Sequence, residues 1–511
     1  MRTSHAESNK RIMKNTLALY VRMILMMIVS LYTSRVILDT LGVEDYGTYN
    51  VVGGVIAMFS AFSSMFSGAI SRFLTYELGQ DEGDTKRLRD VFSTSVTIQL
   101  GIAAVFIIVG EVVGLYFLNY QLVIPEGRMV AANWVLQCSI VTFAVNLISV
   151  PYNAAIIAHE KMSAFAYISI FEVSMKLLIA YALYISPIDK LISYALLLMS
   201  LSVVVRFVYG FYCRRHFSEC RYRFKYDKKL LKEMSGFAGW NFLGSGAYIL
   251  NTQGVNILIN LFFGVTLNAA RGIANQVDGA IMQLVNNFMT AVKPQITKSV
   301  AAGDYSYMES LVFRGSKFGY FLMLLFFVPI YVEAPQILTL WLKVVPEYTV
   351  SFVRLAMIAS MIDLLGTTIS TAVIATGKVK KYYIVIGLFG LLVFPLTYIC
   401  FKLGCSPESC YYSFISVYVF LLFLKLRQAH ELVEISISKY CLKVLFKVVP
   451  ITIFSLGLTL LASEYMEQNL QRLVILVLFS ALLNGVAIYF YGLNQAEKEF
   501  VKGIVFKKSK K

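Results

Sequence analysis

Apolar runs of roughly twenty or more residues follow one another along almost the whole chain, separated by short polar links. Each run is long enough to cross a bilayer as an α-helix. Fourteen spans are predicted, at roughly 12–38, 44–72, 91–118, 128–157, 162–185, 189–213, 235–263, 268–296, 311–333, 349–375, 382–402, 407–427, 442–463 and 470–492. The expected fold is all-α, a polytopic membrane protein, because helices satisfy their own backbone polar groups in lipid. Placing the N-terminus in the cytoplasm puts about thirty Lys and Arg in cytoplasmic segments and about three outside, which fixes the expected orientation with both termini inside.

The basic link 214–233 divides the chain into comparable halves, and a repeat at an offset of roughly 220 residues connects them. Leu41-Gly42-Val43 matches Phe263-Gly264-Val265, and Glu82-Gly83-Asp84 matches Ala302-Gly303-Asp304. AIIAHEK at 155–161 matches AVIATGK at 372–378. Six spans per half is an even number, so the two copies enter the membrane in the same direction as a parallel repeat. The expected organisation is an N-terminal six-helix lobe (1–213), a basic cytoplasmic linker (214–233), a C-terminal six-helix lobe (234–427), two additional helices (428–493) and a basic cytoplasmic tail (494–511). Two lobes facing each other across a central cavity is a transporter layout, with a scaffolding membrane protein as its plainer rival.

Polar side chains interrupt some spans in a pattern that a lipid anchor would not carry. With Arg271 at zero and about 100° per residue, Asn275, Asp278, Asn286 and Lys293 fall within an arc of about 80°. Such a stripe must face protein or water. In the preceding span Gln253, Asn256 and Asn260 lie broadly on one side with Ser245, suited either to a hydroxyl-rich ligand or to interhelical hydrogen bonds. Arg22 shares a face of the first span with Asn15 and Thr33, and either lines the cavity or snorkels to the headgroups. The small residues of the second span (Ser60, Ser63, Ser64, Ser67, Gly68, Ser71) fit close helix packing, and Arg72 beyond them occupies the repeat position near Lys293.

Acidic residues inside spans are few. Glu172 and Lys176 are four apart and neutralise each other, and Asp278 is placed to orient Arg271. Asp363 and Glu111 have no partner evident in the sequence and are the candidates for ion coupling.

Composition sharpens this reading. Hydrophobic residues make up 58% of the 511 and charged residues only 15%, far from a soluble protein of this length. The formal charge of +16 follows the positive-inside rule and does not point to nucleic acid. Polar residues 1–14 followed by a long first run argue for an uncleaved first helix. Cys405 and Cys410 could bridge, with free thiols the simpler reading, and His5, His159, His216 and His430 show no metal-ligand spacing. No phosphate-binding GxxxxGK[ST] loop, nucleophile elbow or paired catalytic carboxylates are present, so neither an enzyme nor a cofactor is expected.

The segments TSRVILDTLGVEDYGTYNVVGG and WNFLGSGAYILNTQGVNILINLFFG, with NAARGIANQV and VKPQITKSVAAGD, resemble polysaccharide flippases. These are the Wzx-type O-antigen and capsule-repeat translocases of the multidrug/oligosaccharidyl-lipid/polysaccharide exporter superfamily. The resemblance extends over the whole chain. It implies translocation of an undecaprenyl-diphosphate-linked oligosaccharide from the cytoplasmic to the outer leaflet of a bacterial inner membrane, with a polysaccharide polymerase or other assembly proteins as partners alongside the membrane lipids. It also implies a cationic cavity for the diphosphate, with Arg22, Arg271 and Lys293 as its candidates here. A cation-coupled multidrug exporter and a peptidoglycan lipid-precursor flippase are the alternatives within the superfamily; the cationic stripe favours an anionic substrate.

Overall fold

The computed structural model describes residues 2–57, 70, 73–74, 85–159, 161–224, 250–377, 379–495 and 497–499, with side chains given from residue 26 onward apart from a few positions. Every long element is a helix. In chain order they are α1 (Arg2–Ala57), α2 (Thr85–Tyr116), α3 (Met129–Ala158), α4 (Met162–Ala182), α5 (Lys190–His216), α6 (Val255–Phe263), α7 (Val265–Ala301), α8 (Tyr305–Trp341), α9 (Thr349–Ala375), α10 (Val379–Gly390), α11 (Val393–Lys402), α12 (Ser409–Val433), α13 (Phe446–Glu464) and α14 (Leu470–Ala487).

Among the described residues eleven helices are long and apolar enough to cross a membrane, against fourteen expected spans. The other three have plain reasons. About half of the second span, with its serines and Arg72, and the first half of the seventh, with Ser245, lie outside the described residues. The eighth is α7, an unbroken 37-residue helix whose polar stripe makes it less apolar than the rest. The chain is an all-α membrane protein.

Local chemistry sets the helix ends. The Asp189 carboxylate accepts from the backbone N–H groups of Leu191 and Ile192 at the start of α5, while Arg214, Arg215 and His216 complement the dipole at its end. Asn469 caps α14 in the same way through the N–H of Arg472. Pro329 and Pro335 flank a break in the helical path of α8 at Glu333 (φ −98°, ψ 18°).

Two glycines that the sequence match pairs share a backbone conformation: Gly42 adopts φ 79°, ψ 172°, and Gly264 adopts φ 80°, ψ −173°. This region is open essentially to glycine alone, so the chain bends at both positions by the same means.

Contacts divide the described chain into two compact units: residues 1–269 with 342–346, and 270–341 with 347–511. In the first, α3 packs between α2 and α5, and α1 packs along α4. Its core includes Phe92 edge-on to Tyr152 at 5.1 Å, with the Arg206 guanidinium 3.8 Å from the Tyr152 centroid on another side. The Arg206 guanidinium thus stacks on an aromatic ring. Towards one end Arg128 bridges Asp45 and Asp189, and Lys343 reaches Asp39 at 2.6 Å. Towards the other, His159 pairs with Glu219 at 2.5 Å and stacks on Phe217. In the second unit α9 packs on α8 and α12, and α13 and α14 lie together against α8.

Candidate functional site

The polar helix α7 divides its own stripe. On the 100°-per-residue wheel Arg271 and Asp278 lie at about 0° and −20°, whereas Asn275, Asn286 and Lys293 lie between about +40° and +60°. The structure follows this split: Arg271 is buried and Asp278 half-buried within the second unit, and Asn275, Asn286 and Lys293 are exposed. One helix therefore carries a shielded cation beside an accessible polar edge.

Arg271 is the largest fully shielded side chain of the described residues, at 2% exposure. Its guanidinium carbon lies 5.9 Å from the Tyr411 ring centroid and 5.8 Å from that of Phe414, both on α12. Its Nε and Nη1 have no hydrogen-bond partner, and no carboxylate lies within ion-pair distance among the described residues. Among the described residues the Tyr411 hydroxyl and the Oδ1 of Asp278 are also buried without partners. Only the other oxygen of Asp278 is used, accepting from the Ser360 hydroxyl at 2.7 Å. Two aromatic faces offset only part of the cost of shielding a guanidinium from water. Arg271 and Tyr411 thus hold donors without a partner among the described residues, beside one acceptor oxygen of Asp278 in the same state.

The amides of the first unit behave differently. Asn260 is fully buried, its Oδ1 accepting from the N–H of Val123 at 2.8 Å and its Nδ2 donating to the Val123 carbonyl at 3.1 Å. The amide thus ties α6 to the backbone of the loop that follows α2. Gln253 and Asn256 both crowd Gly54 of α1, where an added Cβ would lie 3.1 Å from Gln253 Oε1 and 3.4 Å from Asn256 Nδ2. The Asn256 backbone carbonyl takes a bond from Asn268 at 2.7 Å, and its own Oδ1 is left buried without a partner. Gln253 and Asn256 therefore share a place, while the Arg22 side chain lies outside the described residues.

Both ion-coupling candidates have partners that the sequence did not show. Lys425 on α12, 8% exposed, donates to Asp363 at 3.0 Å, and Gln137 donates to Glu111 at 2.8 Å. Glu172 and Lys176 pair at 2.7 Å as expected. All seven cysteines are free thiols, Cys405 exposed and Cys410 buried. Among the described residues no group of His, Cys, Asp and Glu could hold a metal ion.

Sequence reasoning missed Tyr411, Phe414, Ser360 and Lys425. An aromatic or serine in an apolar helix carries no signal separating site from packing, and Lys425 sits close enough to a span end to read as snorkelling. Of the cluster, Arg271 and Asp278 were visible.

No protein-family model matches the chain, and no curated protein matches it in sequence. Solved structures do match. A lipid II flippase, MurJ, in an inward closed conformation aligns with 97% of this chain and 100% of its own at TM-score 0.69 and 12% identity. An inward-facing multidrug resistance transporter of the MATE family, within the MOP superfamily, covers 80% of this chain and 94% of its own at TM-score 0.65 and 11% identity. A MATE transporter in a bent conformation covers 80% and 97% at TM-score 0.53 and 12% identity. At such identities the likeness establishes the fold: this chain has the fold that a lipid flippase and multidrug transporters of the MOP superfamily share.

Proposed function

We propose that this chain translocates an undecaprenyl-diphosphate-linked oligosaccharide repeat unit from the cytoplasmic to the outer leaflet of a bacterial inner membrane, by alternating access, for surface polysaccharide synthesis. The observation that carries the reading is Arg271, a shielded guanidinium with unpartnered Nε and Nη1. A diphosphate supplies the missing acceptors, and a diphosphate-sugar headgroup cannot enter hydrocarbon without such replacement of its water. Asn275, Asn286 and Lys293 on the exposed edge of α7 are the proposed contacts for sugar hydroxyls and remaining phosphate charge; Gln253 and Asn256, in the first unit, are proposed separately as polar residues of the path. The six-helix repeat organisation is part of the proposal, with Arg22 a further cation of the path. A membrane potential negative inside favours outward movement of an anion by about 2.3 kcal/mol per charge per 100 mV. Residues 1–14, the 214–233 link and the tail face the cytoplasm in this scheme, and polymer-assembly proteins receive the product.

The lipid II flippase covers more of this chain than the multidrug transporters named above, which makes a peptidoglycan lipid precursor the second reading. Both substrates are lipid-borne diphosphates. Replacing the chain in its host by Arg271→Glu at normal protein level distinguishes the possibilities. Loss of surface polymer with lipid-linked oligosaccharide retained on the inner leaflet supports the proposal. Peptidoglycan precursor accumulating instead supports the second reading, and unchanged polymer with raised drug accumulation would point to a multidrug exporter.

A further inference from the structure

The two helices beyond the repeat create a second cationic place, away from α7. A cavity of about 560 Å³ opens between the first turns of α8, the segment leading into α13 and the turn that follows α14. Arg314, Lys317, Lys439, Lys443 and Lys447 line it, against the carboxylates of Glu309 and Glu497. Five cations less two carboxylates leave a surplus of three positive charges in one concavity.

The pairing inside shows which charges are structural. Lys317 is almost fully buried and donates to Glu497 Oε2 at 2.7 Å and to the Gly492 carbonyl at 3.0 Å. Glu497 also accepts from the Asn494 N–H at 2.8 Å, so this pair locks the turn after α14 onto α8. Glu309 accepts from the Ser436 N–H at 2.9 Å and has Lys439 3.5 Å away. The rest of the charge is not matched in this way. Arg314 is 3.9 Å from Glu497, Lys447 stands 4.1 Å from the Tyr491 ring centroid, and exposed Lys443 has no carboxylate within ion-pair distance among the described residues. Ordinary snorkelling would send each lysine separately to the headgroups. Here three elements hold them around one hollow.

What leaves the cavity is apolar. Leu442 lines it, and Phe446, Val449 and Ile453 continue from it at spacings of four, three and four, all exposed on one helix. The cavity opens at the end of the apolar helical stretch Ile437–Glu464, and basic pockets between membrane helices suit lipid phosphates. We propose that this cavity binds the phosphate headgroup of an anionic phospholipid of the surrounding bilayer, with its acyl chains along Leu442, Phe446, Val449 and Ile453. Lys443, Lys447 and Arg314 contact the phosphate. The lipid thereby bridges α8, which belongs to the repeat, and α13, which does not. The proposal is independent of what the protein transports.

The full chain, purified in a mild zwitterionic detergent, is mixed with cardiolipin, phosphatidylglycerol, phosphatidylethanolamine or undecaprenyl diphosphate, and bound lipid is counted by native mass spectrometry. The wild type retains cardiolipin and phosphatidylglycerol over phosphatidylethanolamine. A juxtamembrane lysine contributes about 1 kcal/mol to attraction for an anionic surface, or about fivefold in affinity. The double variant Lys443→Gln/Lys447→Gln then binds anionic phospholipid about 25-fold more weakly, with its lipid-free unfolding temperature unchanged. Should the double variant fold poorly, Lys443→Gln alone, at an exposed position, gives the fivefold loss. Equal retention of anionic and zwitterionic lipid, or equal anionic-lipid binding by wild type and variants, overturns the proposal. So does retention of undecaprenyl diphosphate alone, which would make the cavity a substrate subsite.

Discussion

Arg271 and Arg472 are both shielded arginines of the second compact unit, and their surroundings are opposite. Arg472 uses all three of its nitrogens: Nε and Nη2 meet Glu333 Oε1 at 2.8 and 2.7 Å, and Nη1 donates to the Met466 carbonyl at 3.1 Å. Its acceptor sits at the break in α8, so the pair ties α14 to that kink. Arg271 has two aromatic faces and two idle nitrogens. Arg472 has an acceptor on each nitrogen and holds two elements together, whereas Arg271 keeps two nitrogens without one among the described residues.

The largest effect should come from breaking the satisfied pair. Arg472→Met strands the Glu333 carboxylate, 2% exposed, and should lower stability by about 3–5 kcal/mol, read as the unfolding midpoint in detergent. Arg271→Met strands no carboxylate in an ion pair, so its midpoint should stay the same or rise while transport is lost. Equal destabilisation by the two variants would erase the distinction.

Lys425→Met is intermediate. It frees Asp363, whose side chain is 44% exposed and so partly rescued by solvent, and should cost about 1.5–3 kcal/mol. Gly42→Ala and Gly264→Ala test the repeat: each places a Cβ in glycine-only backbone and should cost about 1–3 kcal/mol, by similar amounts. A large disparity would separate the two bends.

The smallest effect is a pH dependence outside the spans. Burial pushes the Glu219 carboxyl upward, but the bond to His159 and a backbone hydrogen bond outweigh it and hold the carboxyl below its usual value of 4.5. A depressed acid contributes stability above its unfolded pKa and loses it as pH falls through the folded one. Wild type should therefore lose its advantage over Glu219→Gln as pH drops below about 4.5, and keep it unchanged above that value. An advantage that grew on acidification would reverse the sign.

The architecture was legible because lipid enforces it: spans must be apolar, helical and about twenty residues long, and loops sort by charge. The sequence match that pairs Gly42 with Gly264 falls on two glycines of the same conformation, one that few other residues tolerate. Half of the candidate site was legible too, since a charged stripe inside an apolar run is conspicuous. What the 80° arc concealed was the divide between Arg271 with Asp278 and the exposed Asn275, Asn286 and Lys293, a difference of a few tens of degrees that only packing resolves. The partners Lys425 of Asp363 and Gln137 of Glu111 lie 62 and 26 residues away, and no periodicity connects them.

The central claim is that the reserve donors of Arg271 take a lipid-borne diphosphate. Affinity of the purified chain for undecaprenyl diphosphate, compared between wild type and Arg271→Met at matched unfolding midpoints, tests it most directly. One charge-assisted contact is worth about 1.5–3 kcal/mol, so the variant should bind about 10- to 100-fold more weakly. Affinities equal within about twofold would contradict the account.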